Sequence, residues 1–331
     1  MNRRNLVRAG LSLGALSAVP AAVLAQGANA AQSYPERPIR IVVPYPPGGF
    51  NDTLARTLSK YLTADWKQGV VVDNKPGGNT VIGNTAVATA APDGYTLLIT
   101  PLPFSVLPAL YGAKLPYDAV KSFRPVIWAA YSQNLLVVRK GFPARTVAEL
   151  VEYARKNPGK VNYASSGSGS STHLAAELLK SMTKTEMTHI PYKGSAPAVQ
   201  AVLAGEADLL IDNLPNVTQH VKAGNLVALG VTGKERSALL PDVPTLHESG
   251  VPGYEVLVWF GVQAPAGTPE PIVAKLNGQM AKILRQPEVV REFGAQGVEV
   301  VASSPEKFTE LVKSEISKWG KLVQDARIRV E

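Results

Sequence analysis

The sequence predicts an α/β protein with two lobes, each built on a mainly parallel sheet. Three observations carry that prediction. From Tyr34 onward, short apolar segments alternate with amphipathic helix patterns, the rhythm of βα units rather than of an all-α or all-β chain. The length of 331 residues suits two domains. Two small-residue loops, one in each half, run from an apolar strand into a helix. They read Tyr45-Pro46-Pro47-Gly48-Gly49-Phe50-Asn51-Asp52 and Ser165-Ser166-Gly167-Ser168-Gly169-Ser170-Ser171-Thr172.

The N-terminus is set apart from the rest. Arg3, Arg4 and Arg8 precede an apolar run from Leu11 to Leu24, and either Val23-Leu24-Ala25 or Ala28-Asn29-Ala30 offers a cleavage site. This is the pattern of a secretory signal peptide over residues 1–30, and Arg3-Arg4 also fits a twin-arginine signal. The run is too short, and too rich in Gly, Ser and Pro, to span a bilayer. The expected destination is the periplasm, with the leader removed.

Strands are expected at 39–43, 70–72, 95–99, 135–138, 161–163, 189–192, 208–211 and 227–231. Between them lie helix signals. Thr146-Val147-Ala148-Glu149 is a capping box opening a helix that closes before Pro158-Gly159. Ser195 is expected to cap a helix over 196–204, stopped by Gly205. Two helices, 271–285 and 305–325, close the chain. No internal repeat or low-complexity segment stands out beyond the Gly/Ser loop.

Composition excludes several classes. The chain is 45% hydrophobic and 18% charged, and it has no cysteine. Thiol catalysis, iron–sulfur clusters and cysteine zinc sites are therefore excluded. The net charge of +8 includes the three leader arginines, and the other basic residues are scattered without interleaved aromatics. No nucleic-acid partner is expected. The four histidines are dispersed with no H-x-x-x-H spacing, so no metal site is expected. Asn84 stands where a P-loop needs lysine, and Thr172 where a dinucleotide loop needs its third glycine. No cofactor is expected.

What the two loops can do follows from helix physics. Glycine and serine let a ligand approach the backbone. A helix start then presents unpaired N–H groups and positive dipole charge, a site for an anion such as a carboxylate. In open α/β sheets ligands sit beyond the carboxyl ends of the strands. Those ends here carry Gly48-Gly49, Asn79-Thr80, Leu102, the 165–172 loop, Tyr192-Lys193 and Asp212.

The ordered motifs Pro46-Pro47-Gly48-Gly49-x-x-Asp52, Ala91-Pro92-Asp93-Gly94-Tyr95, Asn162-Tyr163-Ala164-Ser165-Ser166-Gly167, Pro191-Tyr192-Lys193-Gly194-Ser195 and Leu240-Pro241-Asp242-Val243-Pro244-Thr245 resemble the Bug family. Its members are extracytoplasmic solute receptors of tripartite tricarboxylate transporters. The resemblance covers the whole mature chain. It implies a type II periplasmic-binding-protein fold that closes over its ligand like a Venus flytrap, without catalysis. It also implies a monomer that binds a small carboxylate and delivers it to membrane subunits of a transporter, or to a sensor. In the family, backbone groups of two loops grip the carboxylate, a role that falls here on Gly48 to Asp52 and on Ser165 to Thr172. The chain is expected to cross between lobes near 130–134 and 255–259, giving lobe 1 as 31–131 with 258–331 and lobe 2 as 132–257.

Several residues carry two readings. Phe50 departs from the small residues usual in the family. It either lines the pocket, favouring an aromatic ligand, or points into the lobe core. Asp52 is expected to cap the first helix and fix its loop. Asn79 and Thr80 either hold the far end of the ligand or only cap a helix. Asp212 either orders its neighbouring loop or receives a ligand donor. His173, beside Ser170 and Ser171, is expected to pack or hydrogen-bond in the first helical turn. The rival function is a secreted hydrolase using the 165–172 loop. A weaker third is nucleic-acid scavenging through basic charge.

Overall fold

The computed structural model describes residues 32–326 and 328, so the expected signal peptide lies outside the described residues. In the first lobe, β1 (Ile39–Val43), β2 (Val70–Asn74) and β3 (Thr96–Pro101) alternate with α1 (Phe50–Trp66) and α2 (Val81–Ala88). A short α3 (Leu107–Tyr111) then leads to the long β4 (Phe123–Arg139). The second lobe continues with α4 (Val147–Lys156), β5 (Val161–Ser165), α5 (Ser171–Thr183), β6 (Met187–Pro191) and α6 (Ser195–Ala204). It ends with β7 (Leu209–Asn213), α7 (Leu214–Lys222) and β8 (Leu226–Val231). The chain then returns through β9 (Leu257–Pro265), α8 (Glu270–Leu284), α9 (Pro287–Ala295), β10 (Val298–Val300) and α10 (Pro305–Asp325).

Each lobe has a parallel wing, β2-β1-β3 in one and β6-β5-β7 in the other. The two wings meet on antiparallel strands. β4 pairs with β9 from Phe123 to Gln133, then with β7 from Asn134 and with β8 from Leu135. It therefore leaves one sheet and enters the other between Gln133 and Asn134. The chain comes back beside the same point: the Val256 N–H donates to the Thr232 carbonyl at 2.9 Å, and the next residue, Leu257, pairs with Gln133.

The strands form where apolar residues can be buried on both faces. Ile39, Ile41, Val42 and Val43 of β1 are all fully buried, and one such aliphatic side chain is worth about 1.5–3 kcal/mol relative to exposure. One core cluster joins β1, α1, β3, β9 and α8 in the first lobe. A second joins Leu135, Val137 and Leu210 with α6 and α7 in the second. A third reaches across both: Leu136, Tyr163 and Leu174 pack in one cluster with Trp259, Phe308 and Trp319.

The Thr146 capping box is fully formed: the Glu149 N–H donates to Thr146 Oγ1, and the Thr146 N–H to Glu149 Oε2, each at 3.2 Å. The expected Ser195 cap is corrected. Ser195 is the first residue of α6, Gly194 is its N-cap, and no side chain caps it. The Ser195 hydroxyl donates instead to the buried Asp212 carboxylate, a stronger acceptor than a backbone group offers.

Candidate ligand-binding site

The loop after β1 is held by Asp52. Gly48 has φ +103°, and an added Cβ would meet nothing within 4 Å, so the glycine serves backbone conformation rather than space. The Asp52 carboxylate accepts from the Gly48 N–H at 3.2 Å, Asn74 Nδ2 at 3.0 Å and Arg56 Nε at 2.8 Å. Burial works to raise its pKa, but the hydrogen bonds from Arg56, Asn74 and Gly48 outweigh that and hold it below the usual carboxylate range. Asp52 fixes the loop as expected, but it does not cap the helix. Gly49 is the N-cap and has no side-chain cap bond; Asp52 sits in the first turn and reaches back to the residue before the cap. The N–H groups of Gly49, Phe50 and Asn51 have no protein acceptor among the described residues.

The Phe50 ring packs on Phe260 and Phe293, with centroids 4.6 and 4.9 Å away. The ring thus packs against the lobe core, while the residue as a whole is half-buried. Half-buried Tyr45 packs against the same cluster, and burial pushes its hydroxyl pKa upward.

Two further loops of this lobe reach the same strand ends. Asn79 and Thr80 both have positive φ, +51° and +75°, a costly conformation for a β-branched threonine. Thr80 is the N-cap of α2 but makes no cap bond. Its buried hydroxyl accepts from Asn84 Nδ2 at 3.2 Å, and Asn84 also donates to the Tyr117 hydroxyl at 2.8 Å. Asn79 is exposed. The expected ligand-lining role of Leu102 is corrected: the whole residue is buried in the core, with no exposed surface to offer a ligand.

The second-lobe loop is tied together by its own hydroxyls. Thr172 Oγ1 accepts from the Ser166 N–H and lies against the Ser166 and Ser170 hydroxyls, all at 2.9 Å. Ser165 Oγ accepts from the Gly167 N–H at 3.2 Å. Ser170 is the N-cap of α5, accepting from the His173 N–H at 3.3 Å. The Gly169 N–H donates to His173 Nδ1 at 3.0 Å, so His173 both packs and hydrogen-bonds in the first turn. The N–H groups of Ser168, Ser171 and Thr172 are left without a protein acceptor among the described residues. Each loop thus offers three unpaired donors at a helix start.

Sequence reasoning missed what lies beneath this loop. Ser165 Oγ and His189 Nε2 are 2.6 Å apart, and their separation along the chain gave no signal. Ser165 is fully buried, so the pair is a structural hydrogen bond and not an accessible nucleophile. His173 is pushed down to about 4, chiefly by burial and then by the charge of His189. His189 is lowered too, again mainly by burial.

Tyr192 is half-buried and its N–H donates to the Ser165 carbonyl at 3.0 Å. Lys193 is exposed. Asp212 is fully buried and accepts from Ser195, from Asn216 Nδ2 at 3.0 Å and from the Asn213 N–H at 2.6 Å. These bonds order the neighbouring loop, and burial raises its pKa above the ordinary value.

Residues 54–328 match the family model described as the tripartite tricarboxylate transporter family receptor. The chain is 36% identical to protein BugT of Bordetella pertussis over 305 residues, covering 91% of this chain and 93% of BugT. Its fold is similar to that of R. palustris Rpa4515 with adipate, with TM-score 0.77 and 38% identity, covering 89% of this chain and 99% of the other. It is similar also to MatC from Rhodopseudomonas palustris with bound malate, with TM-score 0.74 and 34% identity, covering 88% and 100%.

Proposed function

Since the chain belongs to the tripartite tricarboxylate transporter receptor family, we propose that it captures a small carboxylate between its lobes in the periplasm and passes it to transporter subunits. The observation that carries this reading is the pair of helix starts with unpaired donors: Gly49, Phe50 and Asn51 in one lobe, Ser168, Ser171 and Thr172 in the other. A carboxylate is acceptor-only and takes several N–H donors at once. Bound to one loop alone it does not favour closure; gripped by both, it stabilises the closed form by the extra contacts.

The lobes in this reading are 31–131 with 258–331, and 132–257. The far end of the ligand lies among Tyr45, Asn79, Thr80, Tyr192 and Lys193. The protein works as a monomer, is exported with its leader removed, and leaves its ligand chemically unchanged. Three loop serines support this last point, since the Ser165, Ser166 and Ser170 hydroxyls are engaged in holding the loop.

Thermal unfolding of the mature protein, stripped of ligand by denaturation and refolding, tests the reading. The panel holds aliphatic di- and tricarboxylates, amino acids and aromatic acids. An acid at about 100 times its Kd adds about 2.7 kcal/mol, an upward shift of several degrees. No shift with any acid overturns carboxylate capture, and steady turnover lost in Ser170→Ala or Ser171→Ala overturns the receptor reading.

A further inference from the structure

Asn134 sits where β4 passes from one sheet to the other, and it is fully buried. Its backbone is pinned on both sides of Thr232: the Asn134 N–H donates to Thr232 Oγ1 at 2.9 Å, and its carbonyl accepts from the Thr232 N–H at 3.0 Å. Its side chain, by contrast, is idle. Neither Nδ2 nor Oδ1 has a hydrogen-bond partner. Other buried amides with an unpaired oxygen keep their nitrogen engaged: Gln133 with the Glu235 carbonyl, Gln263 with Thr100, Asn84 with Thr80 and Tyr117. Directly across the antiparallel ladder from Asn134 stands Asn213, whose Oδ1 is also buried and unpaired. Buried amides without partners cost stability.

The two amides lie on the α5 side of the sheet. Alternate residues of a strand share a face. Leu136 on β4 and Leu209 and Ile211 on β7 belong to the core cluster that holds Leu174 and Ala175 of α5, so Asn134 and Asn213 fall on the face that α5 covers. The first turn of α5 carries Ser171 and Thr172, two of the unpaired N–H donors. Asn213 also ends β7, at the carboxyl edge of the parallel wing.

We propose that Asn134 and Asn213 form a specificity-determining pair that reads a hydroxyl on the ligand, so that the protein selects hydroxycarboxylic acids over their deoxy counterparts. This rests on the receptor reading above. The idle groups are one donor, Asn134 Nδ2, and two acceptors, the Oδ1 atoms of both residues. A hydroxyl donates one hydrogen bond and accepts others, so it satisfies both kinds. A carboxylate there would meet Nδ2 but face two carbonyl oxygens, and a methylene would satisfy nothing. A site built to hydrogen-bond a hydroxyl rejects the analogue that lacks it, because its own polar groups stay unpaired.

Calorimetric titration of the stripped protein with L-malate against succinate, lactate against propionate, and citrate against tricarballylate tests the pair. At least one hydroxy acid should bind about tenfold or more tighter than its deoxy partner. Asn134→Leu should bring that ratio within about threefold while leaving the affinity for the deoxy acid unchanged, and it should not lower the Tm of the ligand-free protein, since a misfit amide has been removed. A wild-type ratio near one overturns the inference and leaves the receptor reading standing. So does an equal loss for both acids, or a Tm several degrees lower, which marks a structural amide. Absence of binding by every acid overturns both. If Asn134→Leu does not fold, Asn213→Ala decides: a reduced ratio supports the pair, and an unchanged ratio overturns it.

Discussion

The imidazoles of His173 and His189 lie face to face beneath the 165–172 loop, with centroids 4.0 Å apart and planes 8° from parallel. Tyr163 stacks on the His189 face, 4.8 Å away. The Tyr163 hydroxyl donates to Glu177, which also accepts from Lys180 Nζ at 2.6 Å. Such a stack tolerates neutral rings and resists charged ones.

Acid should therefore destabilise the protein. His173 drops from 6.5 to about 4 on folding, first through burial and then through His189. Below an unfolded pKa near 6.5 the unfolded chain binds a proton that the folded one refuses, so stability present above that pH is lost as pH falls toward the folded value. Unfolding followed from about pH 7 down to about pH 4.5 should show a loss of about 2–3 kcal/mol from this group, with His189 adding to it. Asp212 works in the opposite sense, because its pKa is raised, so its contribution is present in acid and fades as pH rises. His173→Asn keeps an acceptor for the Gly169 N–H and removes the titration. It should flatten the slope, and an unchanged slope would refute the assignment.

Asp52 makes a second, independent case. Its side chain is only 6% exposed and holds Gly48, Asn74 and Arg56 together. Asp52→Ala leaves the Gly48 N–H without an acceptor and frees the loop that presents Gly49, Phe50 and Asn51. Hydrogen bonds to charged groups are worth about 1.5–3 kcal/mol each, so a stability loss of about 2 kcal/mol is expected in urea unfolding. Carboxylate affinity should fall further than stability alone explains, because the loop that presents those donors loses its anchor.

Phe50 should influence stability rather than selectivity. Its ring contacts Phe260 and Phe293, and losing a half-buried aromatic costs about 2 kcal/mol, below the full burial figure for phenylalanine. In Phe50→Ser the affinity ratio between aromatic and aliphatic acids should stay as in the native protein. A changed ratio in competition titrations would put the ring in the pocket after all.

How much of this was legible in the sequence depends on the kind of interaction. The parallel wings were, because β1, β5 and β7 are apolar runs ending in small polar residues. The 305–325 helix and the Thr146 box were, because caps and apolar periodicity are local. The antiparallel seam was not: β4 was expected only at 135–138, and its first half carries Pro125 and mixed aromatics without alternation. β10 is too short at three residues to announce itself, whereas β9 is an apolar run, Leu257-Val258-Trp259-Phe260, that was read only as part of a lobe crossing. In the site, loop glycines and serines announced themselves. The Ser165–His189 bond, the Asp52–Asn74 bond and the idle Asn134 amide did not, since each depends on which strands become neighbours.

Gly261 ties the seam to the C-terminal helix. A Cβ at this position would fall 2.1 Å from Phe308 Cζ. Phe308 is fully buried near the start of α10 and meets Trp259 edge-on, with centroids 5.7 Å apart. Further along α10, Glu315 accepts from Trp259 Nε1 at 3.3 Å and Trp319 Nε1 at 2.7 Å. Displacing Phe308 therefore disturbs the helix that packs with both lobes. Gly261→Ala should cost about 1–3 kcal/mol by overpacking, and Phe308→Ala about 3–5 kcal/mol by leaving a cavity. The double variant should cost less than the sum, because the alanine methyl enters space the ring has vacated. A cycle measured by urea unfolding reads that coupling directly. Strict additivity would mean that close approach to Phe308 is not what requires glycine at 261.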